Sequence, residues 1–217
     1  MRAMILAAGR GKRLRPLTDS IPKALIEVGG KPLAVHAIER LHAAGIDELV
    51  INLGWLGASI RERLGDGRAF GVRIVYSDEG EHTLETAGGI VRALPLLGSK
   101  PFWVVNADVL CDYAFPPVSL GRTDLAHLVL VNNPEHKRDG DFALSAGRVR
   151  DDGKTRLTYA GIGLYRPECF VGERADRRPL LPLLQRWMAA ERVRGEHYRG
   201  RWFDVGTPER LVAARNG

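Results

Sequence analysis

The chain has 217 residues, enough to bury a sizeable core without disulfide bonds, which excludes a disulfide-stapled miniprotein. Its 32 Lys and Arg residues against 26 Asp and Glu residues give a net charge of +6, which suits nucleic acid, an anionic surface or a phosphorylated small molecule. The basic residues are scattered, and the one dense segment, 10–15, has no aromatic residue on which a base could stack, so no nucleic-acid partner is expected.

Cysteine usage and hydropathy indicate the cellular setting. Cys111 and Cys169 follow no metal-binding or redox spacing. The apolar runs fall well short of the roughly 20 residues that cross a bilayer, so no membrane partner is expected. The first residues lack the basic head, long apolar core and cleavage site of a secretory signal. These features predict a reduced, cytoplasmic protein.

The first half of the chain alternates short apolar runs with helical periodicity. A strand is predicted at 3–7, and Pro32 can open a helix that Gly45 can end. Further strands are predicted at 48–53, 72–77 and 102–106, and further helices at 56–64 and 86–97. This alternation is typical of a parallel sheet with helices on both faces, in which ligands bind at the carboxyl ends of the strands.

The alternation of strand and helix patterns stops after Asp108. Segments 126–132, 142–149 and 157–164 have the pattern of strands without intervening helices, which predicts a more antiparallel arrangement. An amphipathic segment at 180–193, an aromatic strand at 196–204 and a helix from Pro208 complete the predicted elements. The predicted fold class is therefore α/β, with a Rossmann-like, mostly parallel sheet, helices on both faces and a smaller antiparallel part.

A glycine-containing basic loop follows the first strand. Its two glycines, Gly9 and Gly11, allow the backbone to approach phosphate oxygens and to point its N–H groups at them. Arg13 and Lys23 can neutralise phosphate charge. The spacing matches neither the dinucleotide fingerprint nor the P-loop. A solvated basic turn is the alternative interpretation.

Two aspartates stand out at the ends of apolar segments. Asp108 follows the predicted strand in VVNAD, and Asp204 lies in WFDVGTP before the last helix. Mg²⁺ takes hard oxygen ligands and usually only one or two protein carboxylates, so this pair suits magnesium if the fold brings the two together. Alternatively, Asp108 only terminates a strand, and Asp204 only begins the turn that leads to an N-cap at Thr207.

The run LAAGRGKRLRPLT, followed by Pro22 and Lys23, resembles the signature of the sugar-1-phosphate nucleotidylyltransferase (NTP-transferase) family. The resemblance implies that Arg13 and Lys23 hold a triphosphate and stabilise the transferring phosphoryl group, and that Asp108 and Asp204 bind Mg²⁺. Ala107 stands where many members have glycine. The implied catalytic residues are Arg13, Lys23 and Asp108, and the implied nucleotide-binding residues in these segments are Ala7, Ala8, Gly9, Gly11, Lys12, Arg13, Lys23 and Asn106.

The resemblance also assigns the remaining candidates. In the family the loop before the helix at 86–97 reads the base, and Glu81 and Gly88 are the candidates here. Glu85 is interpreted instead as an acid near a helix start capped by Thr86. Asp141 and Gly161 lie in segments that resemble sugar-binding segments of the family. Three of the six histidines, His127, His136 and His197, are expected to be surface or packing residues.

Further segments, including 51–57, 84–90 and 195–200, resemble the uridylyltransferase members that act on N-acetylmuramate 1-phosphate in peptidoglycan recycling. The implied partners are therefore UTP and that sugar phosphate, bound by a monomer or small homo-oligomer. One domain, 1–217, is expected to consist of a nucleotide-binding half, about 1–110, and a sugar-phosphate-binding half, 111–217. The implied reaction is attack of the sugar phosphate on the α-phosphorus without a protein base.

Alternatives from the same and from a different class remain. A mannose 1-phosphate guanylyltransferase, or a glucose 1-phosphate thymidylyl- or uridylyltransferase, would share the phosphate and metal machinery. A non-catalytic nucleotide-sugar sensor or regulatory subunit would have lost charged site residues, whereas Arg13, Lys23, Asp108 and Asp204 are all present.

Overall fold

The computed structural model describes residues 1–80 and 83–216. Its first half alternates strands and helices, as the hydrophobic pattern predicts. In chain order the elements are β1 (Arg2–Leu6), β2 (Glu27–Val28), β3 (Lys31–Pro32), α1 (Leu33–Ala43), β4 (Glu48–Leu53), α2 (Gly57–Leu64), β5 (Arg73–Asp78), α3 (Glu85–Leu97) and β6 (Phe102–Asn106).

The second half contains more strands and fewer helices. Its elements are β7 (Val109–Cys111), β8 (Ala126–Val131), β9 (Phe142–Ser145), β10 (Arg148–Arg150), β11 (Arg156–Tyr165), α4 (Leu181–Ala189), β12 (Val193–His197), β13 (Trp202–Asp204) and α5 (Pro208–Asn216). None of the helices in the described part of the chain combines the length and the apolar character needed to cross a membrane.

One nine-stranded sheet runs through both halves, in the order β5-β4-β1-β6-β11-β8-β12-β10-β9. The four strands that the first half contributes to this sheet, β5, β4, β1 and β6, are mutually parallel, and β11 joins them by running antiparallel to β6. In the second half only β8 and β12 are parallel, and β9 pairs with both β10 and β11. The α/β class is confirmed, and the more antiparallel second half agrees with the end of the strand and helix alternation after Asp108.

Three predicted elements of the second half were wrong in extent. Segment 142–149 is a hairpin rather than one strand, because Ala146 and Gly147 adopt φ values of 49° and 74° and turn the chain between β9 and β10. The amphipathic segment 180–193 ends its helix at Ala189, and Val193 already belongs to β12. The aromatic strand at 196–204 is divided between β12 and β13, and β13 pairs with β7 outside the main sheet.

Helices cover the sheet on both faces, and alternation along β6 shows how the two cores form. Trp103 belongs to the core under α1 and α2, together with Ile38 and Leu41 of α1. Its neighbour Phe102 belongs to the opposite core, under α3 and α4. Successive side chains of a strand point to opposite faces, so the apolar run of β6 supplies both cores at once. This double packing fixes the carboxyl ends of β1, β4 and β6 relative to one another.

The aromatic cluster under α4 gives a test of the second core. Phe170 is 1% exposed, and its ring lies 5.6 Å from Trp187 and 6.1 Å from Tyr165. We expect Phe170→Ala to lower the free energy of unfolding by about 3–5 kcal/mol, because it removes buried apolar surface and leaves a cavity. Urea denaturation followed by circular dichroism measures this. The adjacent Val171→Ala, at a side chain 78% exposed, should change it by less than about 0.5 kcal/mol; equal effects would contradict the packing described.

Candidate functional site

A cleft of about 850 Å³ opens at the carboxyl ends of the parallel strands. Leu6 at the end of β1, Asn52 in β4 and Asn106 at the end of β6 contribute to its wall. This is the location expected for ligands of such a sheet. The sequence-predicted residues that line the cleft are Ala7, Ala8, Gly9, Gly11, Lys12, Arg13, Lys23, Asn106, Asp108, Asp141, Gly161 and Asp204.

The loop after β1 is held in an open form by contacts along its backbone. The backbone N–H of Ala7 donates to Asn52 Oδ1 at 2.7 Å, and Thr18 Oγ1 donates to the carbonyl oxygen of Gly11 at 2.9 Å. Gly11 adopts a left-handed φ of 64°, which a residue with a Cβ rarely adopts, and the side chain of Lys23 packs against it. A Cβ on Gly9 would meet no atom within 4 Å. The backbone at Gly9 is therefore open to the cleft.

The basic residues of this loop divide into two groups. Arg10 stacks over the ring of Trp55 at 4.1 Å, and Arg15 forms an ion pair with Asp19 at 3.0 Å. Lys12 and Arg13 line the cleft instead. The loop thus directs two of its four cations to the site.

Pairing of two short strands brings the candidate metal acids together. In the antiparallel pair β7–β13, Asp204 lies opposite Val109, the residue after Asp108. The backbone N–H of Val205 donates to the carbonyl oxygen of Asp108 at 2.9 Å. Residues 96 positions apart in the sequence therefore become neighbours at the cleft. Within 1–80 and 83–216 no group of three or more His, Cys, Asp or Glu side chains is arranged to hold a metal ion, so a metal here would rely on these two carboxylates and on substrate oxygens.

Each of the two acids has a cationic partner. Lys23 Nζ forms an ion pair with Asp108 Oδ2. Arg210, whose side chain is only 12% exposed, donates to Asp204 with its Nη1 at 2.8 Å from Oδ2. His136 Nε2 lies 3.3 Å from Asp204 Oδ1. Because these pairs are mostly shielded from solvent, their electrostatic attraction is stronger than that of a surface pair.

The second half of the chain supplies the opposite wall. The carboxylate of Asp141 accepts a hydrogen bond from the backbone N–H of Tyr159 at 2.8 Å and pairs with Lys137 Nζ at 2.6 Å. Gly161 has a φ of 72°, and a Cβ there would overlap the side chain of Asn106. Burial raises the pKa of Tyr159 to about 12, so its phenol stays neutral. The phenol is hydrogen-bonded to the hydroxyl of Tyr165 at 3.0 Å, so this wall offers backbone groups beside one paired carboxylate.

Neither of the two residues predicted to bind the base is seen among the described residues that line the cleft. Glu81 lies outside the described residues. Gly88 is not among the residues that line the cleft, because it is covered by the segment 173–180, which we call the docking segment. The backbone N–H of Gly88 donates to the carbonyl oxygen of Arg178 at 3.2 Å, and a Cβ on Gly88 would overlap the carbonyl oxygen of Asp176. The close packing of the docking segment thus explains why a glycine stands at this position.

Several cleft residues were not among the sequence-predicted ones. Asn52 binds Glu79 through Nδ2 at 2.6 Å, and Glu79 accepts the backbone N–H of Leu84 at 2.7 Å with its other oxygen. A signal existed for Asn52, because it is a polar residue near the end of a buried strand, as Asn106 is. His136 is exposed, as expected, but it also lines the cleft beside Asp204, and only the three-dimensional fold shows this.

The chain is similar to known proteins over nearly its whole length. Residues 2–138 match the family described as nucleotidyl transferase. The chain is 51% identical to an N-acetylmuramate alpha-1-phosphate uridylyltransferase from Neisseria meningitidis serogroup B, over 99% of this chain and 97% of that protein. It is 38% identical to a protein of the same name from Caulobacter vibrioides, over 98% and 94%. A Bacillus anthracis structure described as a glucose-1-phosphate thymidylyltransferase, 21% identical, superposes with a TM-score of 0.87 over 100% of this chain and 94% of that one, which shows the fold.

The packing at Gly88 can be tested by adding one methyl group. Alanine normally favours a helix over glycine by about 1 kcal/mol, so a purely helical position would gain stability from Gly88→Ala. We expect a loss of about 1–3 kcal/mol instead, because the methyl group must displace the docking segment. Thermal unfolding and limited proteolysis at 173–180 measure the change. Gly9→Ala, which meets open space, serves as the control; a stabilised Gly88→Ala variant would contradict the docking.

Proposed function

Since the chain belongs to the nucleotidyl transferase family, we propose that it transfers UMP from UTP to N-acetylmuramate 1-phosphate, giving a nucleotide sugar and pyrophosphate. The observation that carries this proposal is the 51% identity to the Neisseria uridylyltransferase across 97% of that protein. The cleft supports it, because a glycine loop, two cleft-facing cations and a pair of neighbouring acids suit phosphoryl chemistry.

The two halves of the chain take different substrates in this proposal. UTP binds to the first half, about 1–110, with its phosphates along the loop at 7–13 and its ribose near Asn106. The sugar phosphate binds to the second half, 111–217, against Asp141 and the backbone at Gly161. Both substrates then meet at the end of β6, where the two walls of the cleft join.

The reaction is an in-line exchange at the α-phosphorus of UTP. An oxygen of the sugar 1-phosphate forms a bond to that phosphorus, and the bond to the bridging oxygen of pyrophosphate breaks with its electron pair. The attacking phosphate is already an anion, so no protein base is needed. Arg13 and Lys23 offset the charge that develops on the phosphate oxygens. Catalysis therefore rests on positioning and electrostatics.

The donor set fits magnesium. Asp108 and Asp204 both line the cleft and become neighbours in the fold through the β7–β13 pair, so both can supply hard carboxylate oxygens, and few protein ligands are needed when phosphates complete the coordination. When bound, the ion would neutralise phosphate charge and orient the α-phosphate. Lys23 and Arg210, which pair with the two acids, are then free to contact phosphate oxygens instead.

The proposed substrates also suggest a setting. A nucleoside triphosphate donor and two unpaired cysteines suit the reducing cytoplasm. A route that consumes N-acetylmuramate 1-phosphate belongs to peptidoglycan recycling. We propose that the protein acts there as a monomer or small homo-oligomer.

Substrate identity is tested by pyrophosphate release with Mg²⁺ across the four NTPs and a panel of sugar 1-phosphates. The panel contains the 1-phosphates of N-acetylmuramate, N-acetylglucosamine, glucose and mannose. We expect turnover to be confined to UTP with N-acetylmuramate 1-phosphate. Turnover with GTP and mannose 1-phosphate, or with a glucose 1-phosphate pair, would keep the reaction class and reject these substrates. No turnover in any combination would favour a nucleotide-sugar sensor.

The role of the neighbouring acids is tested by Asp108→Asn, which keeps size and removes charge. We expect kcat to fall at least about a hundredfold, because a carboxylate that holds a metal and faces transferring phosphates is lost. The melting temperature should change little, since Asp108 lies at the cleft and not in a core. Asp47→Asn, at a half-exposed carboxylate paired with His42, is the matched control and should keep full activity. Wild-type turnover by Asp108→Asn would remove this residue from the mechanism.

A further inference from the structure

Glu85, the first residue of α3, has an unfavourable backbone conformation. Its φ is 58°, in the left-handed region where a Cβ meets the carbonyl oxygen that follows it. Glycine would adopt this φ without that cost. Non-glycine residues held in this region concentrate at functional sites, where the side chain has a use that outweighs the strain.

The side chain of Glu85 lies in the wall of the cleft. It is 34% exposed, and its Oε1 accepts a hydrogen bond from Arg177 Nε at 2.8 Å. Among the described residues, no donor is bonded to Oε2. One oxygen is therefore fixed by Arg177, and the other is available to a ligand in the cleft.

Stability does not account for the glutamate. Arg177 is 79% exposed, and an ion pair with so exposed a partner contributes little. The backbone itself joins the docking segment to α3 at this place, because Arg178 N donates to the carbonyl oxygen of Leu84 at 2.9 Å and the carbonyl oxygen of Arg178 accepts the N–H of Ala87 at 3.0 Å. A glycine at 85 would keep these contacts and relieve the strain.

We propose that Glu85 is a specificity-determining residue, whose carboxylate accepts a hydrogen bond from a neutral O–H or N–H group of a bound substrate. Arg177 is its positioning residue. A carboxylate repels phosphates, so Glu85 faces a part of the substrates that carries none. Two groups have the required chemistry, namely a hydroxyl or amide N–H of the acceptor sugar and the imide N–H of the base. This inference rests on the proposed function, since it assigns a residue to the same cleft.

The chain contains a matched control. Glu191, two residues after the end of α4, has a φ of 54° and pairs with Arg150 Nη2 at 2.7 Å, but it does not line the cleft. Glu85→Gly and Glu191→Gly therefore each remove a glutamate, an exposed ion pair and a left-handed strain. Both variants should keep or raise the melting temperature, because glycine is favoured at these φ values.

The two variants should differ in kinetics. We expect Glu85→Gly to raise the KM of one substrate about tenfold, as loss of one hydrogen bond to a charged acceptor does, and Glu191→Gly to leave both KM values unchanged. A rise in the KM of the sugar phosphate assigns the donor to the acceptor sugar, and a rise in that of UTP assigns it to the base. Glu85→Gln, which keeps an acceptor oxygen, should recover part of the loss, and Arg177→Met should give a smaller rise at unchanged kcat.

The overturning result is equally specific. The inference would be overturned if Glu85→Gly and Glu85→Gln both kept the KM of each substrate within twofold of wild type. This holds whatever the melting temperature of the variants. Glu85→Gln keeps the test available if the glycine variant does not fold. The wild-type protein is assayed in parallel, and its turnover alone decides the proposed function. If it uses another substrate pair, the variants are compared on that pair.

Discussion

The antiparallel pairing of β11 with β6 is the constraint on which the cleft depends. β6 is the last parallel strand of the first half, and its carboxyl end leads to Asn106 and Asp108. β11 runs back along it and places Gly161 against Asn106, where only a residue without a Cβ fits. Because these are backbone contacts in the middle of one sheet, both walls of the cleft are built on the same nine-stranded sheet.

Three carboxylates of the cleft each have a cationic partner. Asp108 has Lys23, Asp204 has Arg210 and Asp141 has Lys137, while Lys12 and Arg13 line the cleft from the glycine loop. A partly buried carboxylate without a cationic partner would lower the stability of the fold, so these pairs stabilise the protein around the cleft. In the proposed function, an incoming polyphosphate would compete for the same cations and leave Asp108 and Asp204 free to hold a metal ion.

Much of the fold could be predicted from local pattern. β4 and β6 have the predicted bounds, because a buried parallel strand appears in the sequence as a short apolar run between turn residues. The loop after β1 could also be predicted, because its glycines and basic residues lie close together in the sequence. The hairpin in 142–149 was not, because Ala146 is not a residue that normally marks a left-handed turn.

The rest of the site depends on contacts between distant segments. Asp204 reaches Asp108 only through the β7–β13 pair, two three-residue strands too short to give a periodic signal. The docking segment covers Gly88 and leaves Glu85 in the cleft wall, and no local pattern distinguishes these two residues of α3. The positive φ of Glu85 is equally invisible in sequence, since glutamate is an ordinary residue near the start of a helix.

The sheet order also determines which strand edge is left open to another molecule. Because β9 bonds to both β10 and β11, the strands of the second half close on themselves, and within the described part of the chain β5 is the one open edge of the nine-stranded sheet. An open edge can recruit a strand from another molecule. Here it carries an exposed Arg73, and Arg61 lies over the ring of Tyr76 at 4.6 Å. Charged side chains on such an edge disfavour its pairing with a strand of another molecule.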